Sequence, residues 1–261
     1  MPLTKLAVHE WPLSNDAGRP ALVAVLVHGI TGWWRTWWRV APVLVDHGWR
    51  VIGIDLRGHG DSPPIDGVAT APSVAADLGA TLDALGVAPL DLLLGHSLGA
   101  AICMELVYGR PDIARRAAFE DPPGQTRADD TEFQNRLAHD VRAARAEPEA
   151  EVQRELAEHP VWMEEDSRQN VAGRARCDLD GILASLRGDT GVRAPELAHL
   201  IRTPSLYLIA DADRSVLGTQ RQGLLDSLPP QATALEFDSG HTIHRDRFDA
   251  YVSRLLDWLE S

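Results

Sequence analysis

From Leu90 the chain runs through an apolar stretch, Leu90–Leu94, directly into Gly95-His96-Ser97-Leu98-Gly99 and then into a helical pattern, Ala100–Tyr108. An apolar run ended by a glycine turn reads as a strand. A strand that turns at once into a helix is half of a crossover between parallel strands. The same rhythm recurs along most of the sequence. Ala21–Val27 (ALVAVLV) and Arg50–Ile54 read as strands, with Trp37, Val40, Ala41 and Leu44 at helical spacing between them. Pro72–Leu85 places Val74, Leu78, Leu82 and Leu85 on one helical face, and Gly86 stands where a left-handed cap is needed. Ala117–Glu120, Ser205–Ala210 and Leu235–Asp238 are further strands, and Arg247–Leu259 is a closing helix with Phe248, Tyr251, Leu255 and Trp258 inward. Strands apolar on both faces, alternating with helices, predict an α/β fold with a mostly parallel, doubly wound sheet.

One interval departs from that rhythm. Between about Asp129 and Leu200 no strand pattern occurs, and Arg, Glu, Asp and Ala dominate. Phe133, Leu137 and Val141 mark one amphipathic helix there; Ile182, Leu183 and Leu186 mark another. The stretch is too long for an ordinary connection. It is expected to form a helical cap over one end of the sheet, with 124–199 as the cap and 1–123 plus 200–261 as the core domain. A chain of 261 residues can bury such a core without disulfides, and its two cysteines, Cys103 and Cys177, form no framework. Net charge of −13 disfavours nucleic acid and anionic lipid as partners. No apolar run of membrane-spanning length occurs, and Met1–Glu10 lacks the pattern of a secretion signal. A small-molecule substrate and a cytoplasmic setting are the expectation; the oligomeric state is not readable.

Gly95–Gly99 is G-x-S-x-G in the strand–turn–helix context that this motif requires. A serine at a sharp turn projects its hydroxyl from the end of the sheet, and glycines on either side let neighbouring backbone approach. The helix behind it offers unpaired N–H groups and a positive dipole end. His28-Gly29-Ile30-Thr31-Gly32 lies at the carboxyl end of another strand and can aim a backbone N–H at the point reached by the N–H of Leu98. A serine nucleophile also needs a base and an orienting carboxylate. Of ten histidines, His241 stands out on the loop before the last helix. His244, three residues on, would make a weak metal pair with it; no metal is expected, and His244 is assigned to the start of a helix or the surface. For the carboxylate, Asp213 beyond strand Ser205–Ala210 is preferred. Asp211 and the pair Glu120/Asp121, at the end of another strand, stay open.

The order Ser97, Asp213, His241, with His28-Gly29 near the first strand and GHSLG at the turn, resembles the α/β-hydrolase family. Arg50–Ser62 (RVIGIDLRGHGDS) resembles that family's segment after its strand, Pro204–Asp213 its acid strand, and Ser239-Gly240-His241 its terminal Gly-His. The resemblance covers 20–121 and 200–261. It implies Ile30 as the second oxyanion donor beside Leu98, and a variable helical cap. It also disfavours dehalogenase and epoxide-hydrolase chemistry, which places an aspartate where Ser97 stands. The expected function is hydrolysis of a carboxylic ester, thioester or lactone of a small apolar substrate without a cofactor. C–C hydrolysis of a diketone, or a non-catalytic ligand-binding role on the same scaffold, are the alternatives. Trp33 or Trp34 is expected to wall an acyl pocket and Trp162 to reach it from the cap, although the cluster Trp33, Trp34, Trp37 and Trp38 must also pack core. His28 and His59 are expected to be structural, and the His96 side chain to point away from substrate.

Overall fold

The computed structural model describes residues 3–11, 22–124 and 130–261. Seven strands form one sheet: β1 (Ala7–Trp11), β2 (Leu22–Val27), β3 (Trp49–Asp55), β4 (Leu92–His96), β5 (Ala117–Glu120), β6 (Ser205–Ile209) and β7 (Ala232–Glu236). Their spatial order is β1-β3-β2-β4-β5-β6-β7. Every pair is parallel except β1–β3, in which Ala7 opposes Asp55 in an antiparallel edge. Residue 21, taken with 22–27 as one strand, lies outside the described residues.

Alternation along the central strands builds two cores. Val25, Val27, Leu93, Phe119, Tyr207 and Ile209 face helices α2 (Ala71–Leu85) and α3 (Leu98–Gly109). Ala24, Leu26, Leu92, Leu94, Leu206 and Leu208 face α1 (Val40–Asp46) and the closing helix, where Tyr251 and Leu255 are buried. Strands apolar on both faces are therefore covered on both faces, as the sequence predicts. Helix α2 starts at a capping box, in which Thr70 and Ser73 exchange backbone-to-side-chain bonds, and the anticipated cap Gly86 ends it at φ 64°.

Two edges differ from expectation. β1 was not anticipated, because AVHEW is a half-buried edge with no apolar run. β7 lies three residues before the anticipated 235–238, since its outer positions are exposed and give no pattern.

Between β5 and β6 the described chain is all helix: α4 (Thr131–Ala146), α5 (Pro148–Glu158), α6 (Glu164–Arg176), α7 (Leu179–Arg187) and α8 (Ala194–Ala198). Residues 125–129 of this interval lie outside the described ones. Leu137, Val141, Ile182 and Leu186 form an apolar cluster separate from the sheet's, and Ala144, Val152 and Val171 form another. Ala194, Leu197 and Ala198 instead join the core against α3, so α8 packs with the sheet. Helix α9 (Arg221–Asp226) lies between β6 and β7, and α10 (Ile243–Asp246) and α11 (Phe248–Glu260) follow β7. Among the described residues no helix is long and apolar enough to cross a membrane.

Candidate active site

Ser97 stands between the end of β4 and the first residue of α3, at φ 54° and ψ −122°. A non-glycine residue at positive φ stores strain that the surrounding packing must hold, and such residues gather at functional sites. Here the packing is visible. A Cβ on Gly95 would come within 2.5 Å of the Gly99 carbonyl oxygen, and one on Gly99 within 2.5 Å of the Val27 carbonyl oxygen. Both glycines of the motif are thus required by backbone contact. The Ser97 N–H donates to the Glu120 carbonyl at 2.9 Å, which ties the turn to the end of β5.

The loop after β2 lies directly against this turn. A Cβ on Gly29 would sit 3.0 Å from Ser97 Cβ. Thr31 takes φ 61°, its N–H donates to His59 Nε2 at 3.1 Å, and the Gly32 N–H donates to the Gly29 carbonyl at 3.0 Å. His28 Nδ1–H donates to the Gly29 carbonyl while its Nε2 accepts from Leu56 N–H at 3.0 Å. Burial lowers the His28 pKa to about 4 and the His59 pKa to about 3, so both rings are neutral and each supplies one donor and one acceptor. These are the structural roles anticipated for them. Ile30, between the pinned residues, lines the same cavities as Ser97, and Leu98 is the first residue of α3, where N–H groups have no intrahelical partner.

His241 lines both cavities beside Ser97. Its Nδ1–H donates to Asp121 Oδ2 at 2.7 Å. Asp121 is fully buried, and its remaining acceptor capacity is filled. Oδ1 takes the Ala210 N–H at 3.2 Å and the Ser215 hydroxyl at 2.7 Å; Oδ2 also takes the Val216 N–H at 3.1 Å. The preferred carboxylate, Asp213, is not at this position. It is exposed, and its N–H donates to Asp211 Oδ1 at 3.0 Å, while Asp211 lies near Arg214. The loop after β6 approaches the histidine with donors, Ser215 and Val216, and the acid they hold comes from the end of β5. The signal was the pair Glu120-Asp121 closing a strand before Pro122-Pro123, one of the open alternatives.

The neighbouring acid, Glu120, pairs with the other histidine. His244 is not at the surface. It lies in the first turn of α10, is buried, and sends Nδ1–H to the Glu120 carboxylate at 2.8 Å. Burial raises the Glu120 pKa and lowers that of His244. His96 also departs from expectation: its ring lines the smaller cavity, with Nε2–H donating to the His241 carbonyl at 3.2 Å.

Two cavities meet at Ser97. The larger, of about 450 Å³, is walled by apolar side chains from the sheet side (Leu98, Ile102, Val74) and from the inserted helices (Phe133, Ile182, Leu186). The smaller, of about 270 Å³, has more polar side chains in its lining, among them Arg174, Arg245 and Asn170, together with Trp162. Trp33 and Trp34 line neither. The Trp33 indole N–H is pinned to the Gln169 carbonyl at 3.0 Å under α6, and Trp34 stacks on His9 with ring centroids 4.6 Å apart. Trp33 thus packs between the sheet and the insertion, and Trp34 against the edge strand β1. Trp162 does reach the site, with its N–H donated to Asp246 Oδ1 at 2.6 Å.

A family model described as alpha/beta hydrolase fold matches residues 24–248. The chain is 30% identical over 260 residues to the 2-succinyl-6-hydroxy-2,4-cyclohexadiene-1-carboxylate synthase of Serratia proteamaculans (strain 568), covering 94% of this chain and 95% of that one. It is 27% identical over 262 residues to an sn-1-specific diacylglycerol lipase of Mus musculus, covering 95% and 83%. The crystal structure of the enol-lactonase from Burkholderia xenovorans LB400 superposes with a TM-score of 0.75 at 21% identity, covering 99% of this chain and 97% of that one.

Proposed function

The chain belongs to the α/β-hydrolase fold family, and from that premise we propose that it is a serine hydrolase cleaving a carboxylic ester, thioester or lactone of a small apolar substrate. The observation that carries this reading is His241, held by the buried Asp121 and opening on the same cavities as a strained Ser97. In the proposed reaction Ser97 Oγ attacks the acyl carbon and His241 Nε2 takes the hydroxyl proton. Asp121 accepts from Nδ1, which holds the tautomer that leaves Nε2 free and stabilises the imidazolium. The N–H groups of Ile30 and Leu98 receive the oxyanion. His241 then protonates the leaving oxygen or sulfur. A water activated by the same nitrogen releases the acid and restores Ser97.

The helical insertion acts as the cap of this scheme, since Phe133, Ile182 and Leu186 close the apolar cavity over Ser97. That cavity suits an aliphatic or aromatic acyl or alcohol group. The scheme needs no cofactor. A cytoplasmic site of action belongs to the same proposal, supported by two buried free cysteines.

The test is a fluorophosphonate probe followed by peptide mass spectrometry, together with hydrolysis of p-nitrophenyl esters of graded chain length. An adduct on Ser97, and turnover lost in Ser97→Ala and His241→Ala, are the expected results. A folded protein with no adduct would overturn the enzymatic reading in favour of a ligand-binding one.

A further inference from the structure

The smaller cavity holds a charge that the reaction described above does not use. Arg245 lies on α10, four residues after His241, and is only 4% exposed. Other arginines of this region have carboxylates: Arg174 pairs with Glu155 at 2.6 Å, and Arg39 with Asp166 at 3.3 Å. Among the described residues Arg245 has no such partner within ion-pair distance, and its Nε is buried without any hydrogen bond. The Trp162 ring, 4.8 Å from the guanidinium carbon, offers a π face, and Asp166, Glu155 and Glu120 act on the charge from beyond ion-pair distance. Burial pulls its pKa below the ordinary arginine value. The acid that lines the same recess, Asp246, is committed elsewhere: Oδ1 accepts from Trp162 Nε1 and Oδ2 from the Gly240 N–H at 2.7 Å.

A buried, unpaired guanidinium is unfavourable in the empty protein and becomes favourable when an anion completes it. The recess that contains it, about 270 Å³, is lined also by Ser97, His241 and the oxyanion loop Gly29–Thr31. An anion seated there belongs to the molecule being cleaved. Building on the hydrolase reading, we propose that this recess is a carboxylate subsite, read by Arg245, and that the preferred substrate is a monoanionic ester, thioester or lactone. Its apolar part fills the large cavity and its carboxylate lies in the recess. The planar guanidinium fork matches a planar carboxylate. A single guanidinium without an ion-pair partner, with Arg174 paired to Glu155 and the Asp246 carboxylate in the same recess, suits a monoanion better than a phosphate dianion.

The experiment compares charged and neutral isosteres on the same protein. Values of kcat/KM are measured for p-nitrophenyl hemiglutarate against its methyl ester, and for 4-carboxyphenyl butyrate against its methyl ester. These pairs place the charge on the acyl and the alcohol side in turn. At least one monoanion is expected to exceed its neutral partner by roughly tenfold or more, and Arg245→Gln to bring that ratio near one, with Arg245→Lys intermediate. Because each result is a ratio within one protein, a general loss of activity does not mimic it. Binding of monomethyl glutarate and dimethyl glutarate to Ser97→Ala protein, by calorimetry, reads the subsite without turnover and covers variants at Arg245 that fail to fold. Neutral esters turned over as well as both monoanions, with Ser97 essential, would overturn the subsite and leave the hydrolase reading intact. Absence of turnover and of a Ser97 adduct, with monomethyl glutarate still bound about tenfold more tightly than the diester, would retain the subsite and overturn the hydrolase reading. A phosphate monoester isostere preferred over the carboxylate would overturn the assignment to a monoanion.

Discussion

Asp121 Oδ2 accepts a hydrogen bond from His241 Nδ1 at 2.7 Å, across 120 residues of sequence. Two strand ends supply the carboxylate's environment: β5 carries Asp121 itself, and the loop after the adjacent β6 supplies Ala210, Ser215 and Val216 as donors. A carboxylate so held is fixed in direction, which is what a histidine base requires of its partner.

Asp121→Asn is therefore expected to keep the shape of the site and lower kcat by about 10⁴-fold, because an amide can hold the imidazole in the wrong tautomer. Asp213→Asn should remain within about twofold of wild type, since Asp213 is exposed and only its backbone N–H is engaged. Steady-state kinetics of the two variants on one p-nitrophenyl ester decides the matter. A collapse in Asp213→Asn with Asp121→Asn active would return the acid to the loop after β6.

The second glycine of the motif, Gly99, makes a stability prediction. A methyl on Gly99 meets the carbonyl oxygens of Val27 and His28, both backbone, so neither can swing away. Gly99→Ala should lose about 3 kcal/mol or more in urea unfolding. Gly109→Ala, at the far end of the same helix, meets nothing within 4 Å and should be neutral or gain about 0.5–1 kcal/mol. Equal midpoints for the two variants would contradict the packing argument.

The turn at Ser97 and Leu98, the glycine loop 28–32 and the loop of His241 stand out in the sequence because each sits at a local pattern: a strand end, a glycine turn, the first turn of a helix; Ile30 within the glycine loop comes from the family resemblance. The central strands were legible for a similar reason, since burial on both faces writes a continuous apolar run. Asp121 was harder. Sequence order tells which strand ends carry acids, but the choice between two adjacent strand ends depends on how β5 and β6 aim their loops, a three-dimensional property. The same limit explains Trp33 and Trp34. Their composition suits a pocket wall, yet Trp33 is taken as packing under α6 and Trp34 as packing against β1, and no pattern in 131–198 announces where α6 will sit. Arg245 illustrates it best: nothing around His244-Arg245-Asp246 distinguishes a buried arginine from a solvated one.

The neutral histidines predict an acid-side weakness. His28, with a folded pKa of about 4 against the ordinary 6.5, binds its proton far more readily in the unfolded chain. Stability from this residue is full above pH 6.5 and is lost as pH falls from 6.5 towards 4, amounting to roughly 3 kcal/mol. His59, at about 3, acts in the same direction over a wider span. Glu120 and Glu155, raised by burial, work in the opposite sense. Their contribution cancels when variants are compared. Urea unfolding at pH 7, 6, 5 and 4 should show a steep fall for the wild type and a shallower one for His59→Gln, whose amide can still donate and accept. Parallel curves would mean that His59 is not neutral in the fold.

The large cavity predicts how substrate length is read. Leu186 on α7 and Phe133 on α4 face Ile102 and Leu98 on α3 across about 450 Å³, so the wall opposite the nucleophile is supplied by the insertion. A Leu186→Trp side chain fills space there without touching Ser97, His241 or the loop that carries Ile30. An apolar pocket discriminates by roughly 1–3 kcal/mol per methylene that no longer fits. The ratio of kcat/KM for the p-nitrophenyl octanoate to that for the acetate should thus fall by about tenfold or more in Leu186→Trp, with acetate turnover kept. The acetate serves as internal control for folding and for the chemistry at Ser97. A variant that loses both esters equally would point to a displaced α7. One that keeps the wild-type ratio would show that long acyl chains lie elsewhere, and that the apolar cavity between α3 and the insertion holds the alcohol side of the substrate instead.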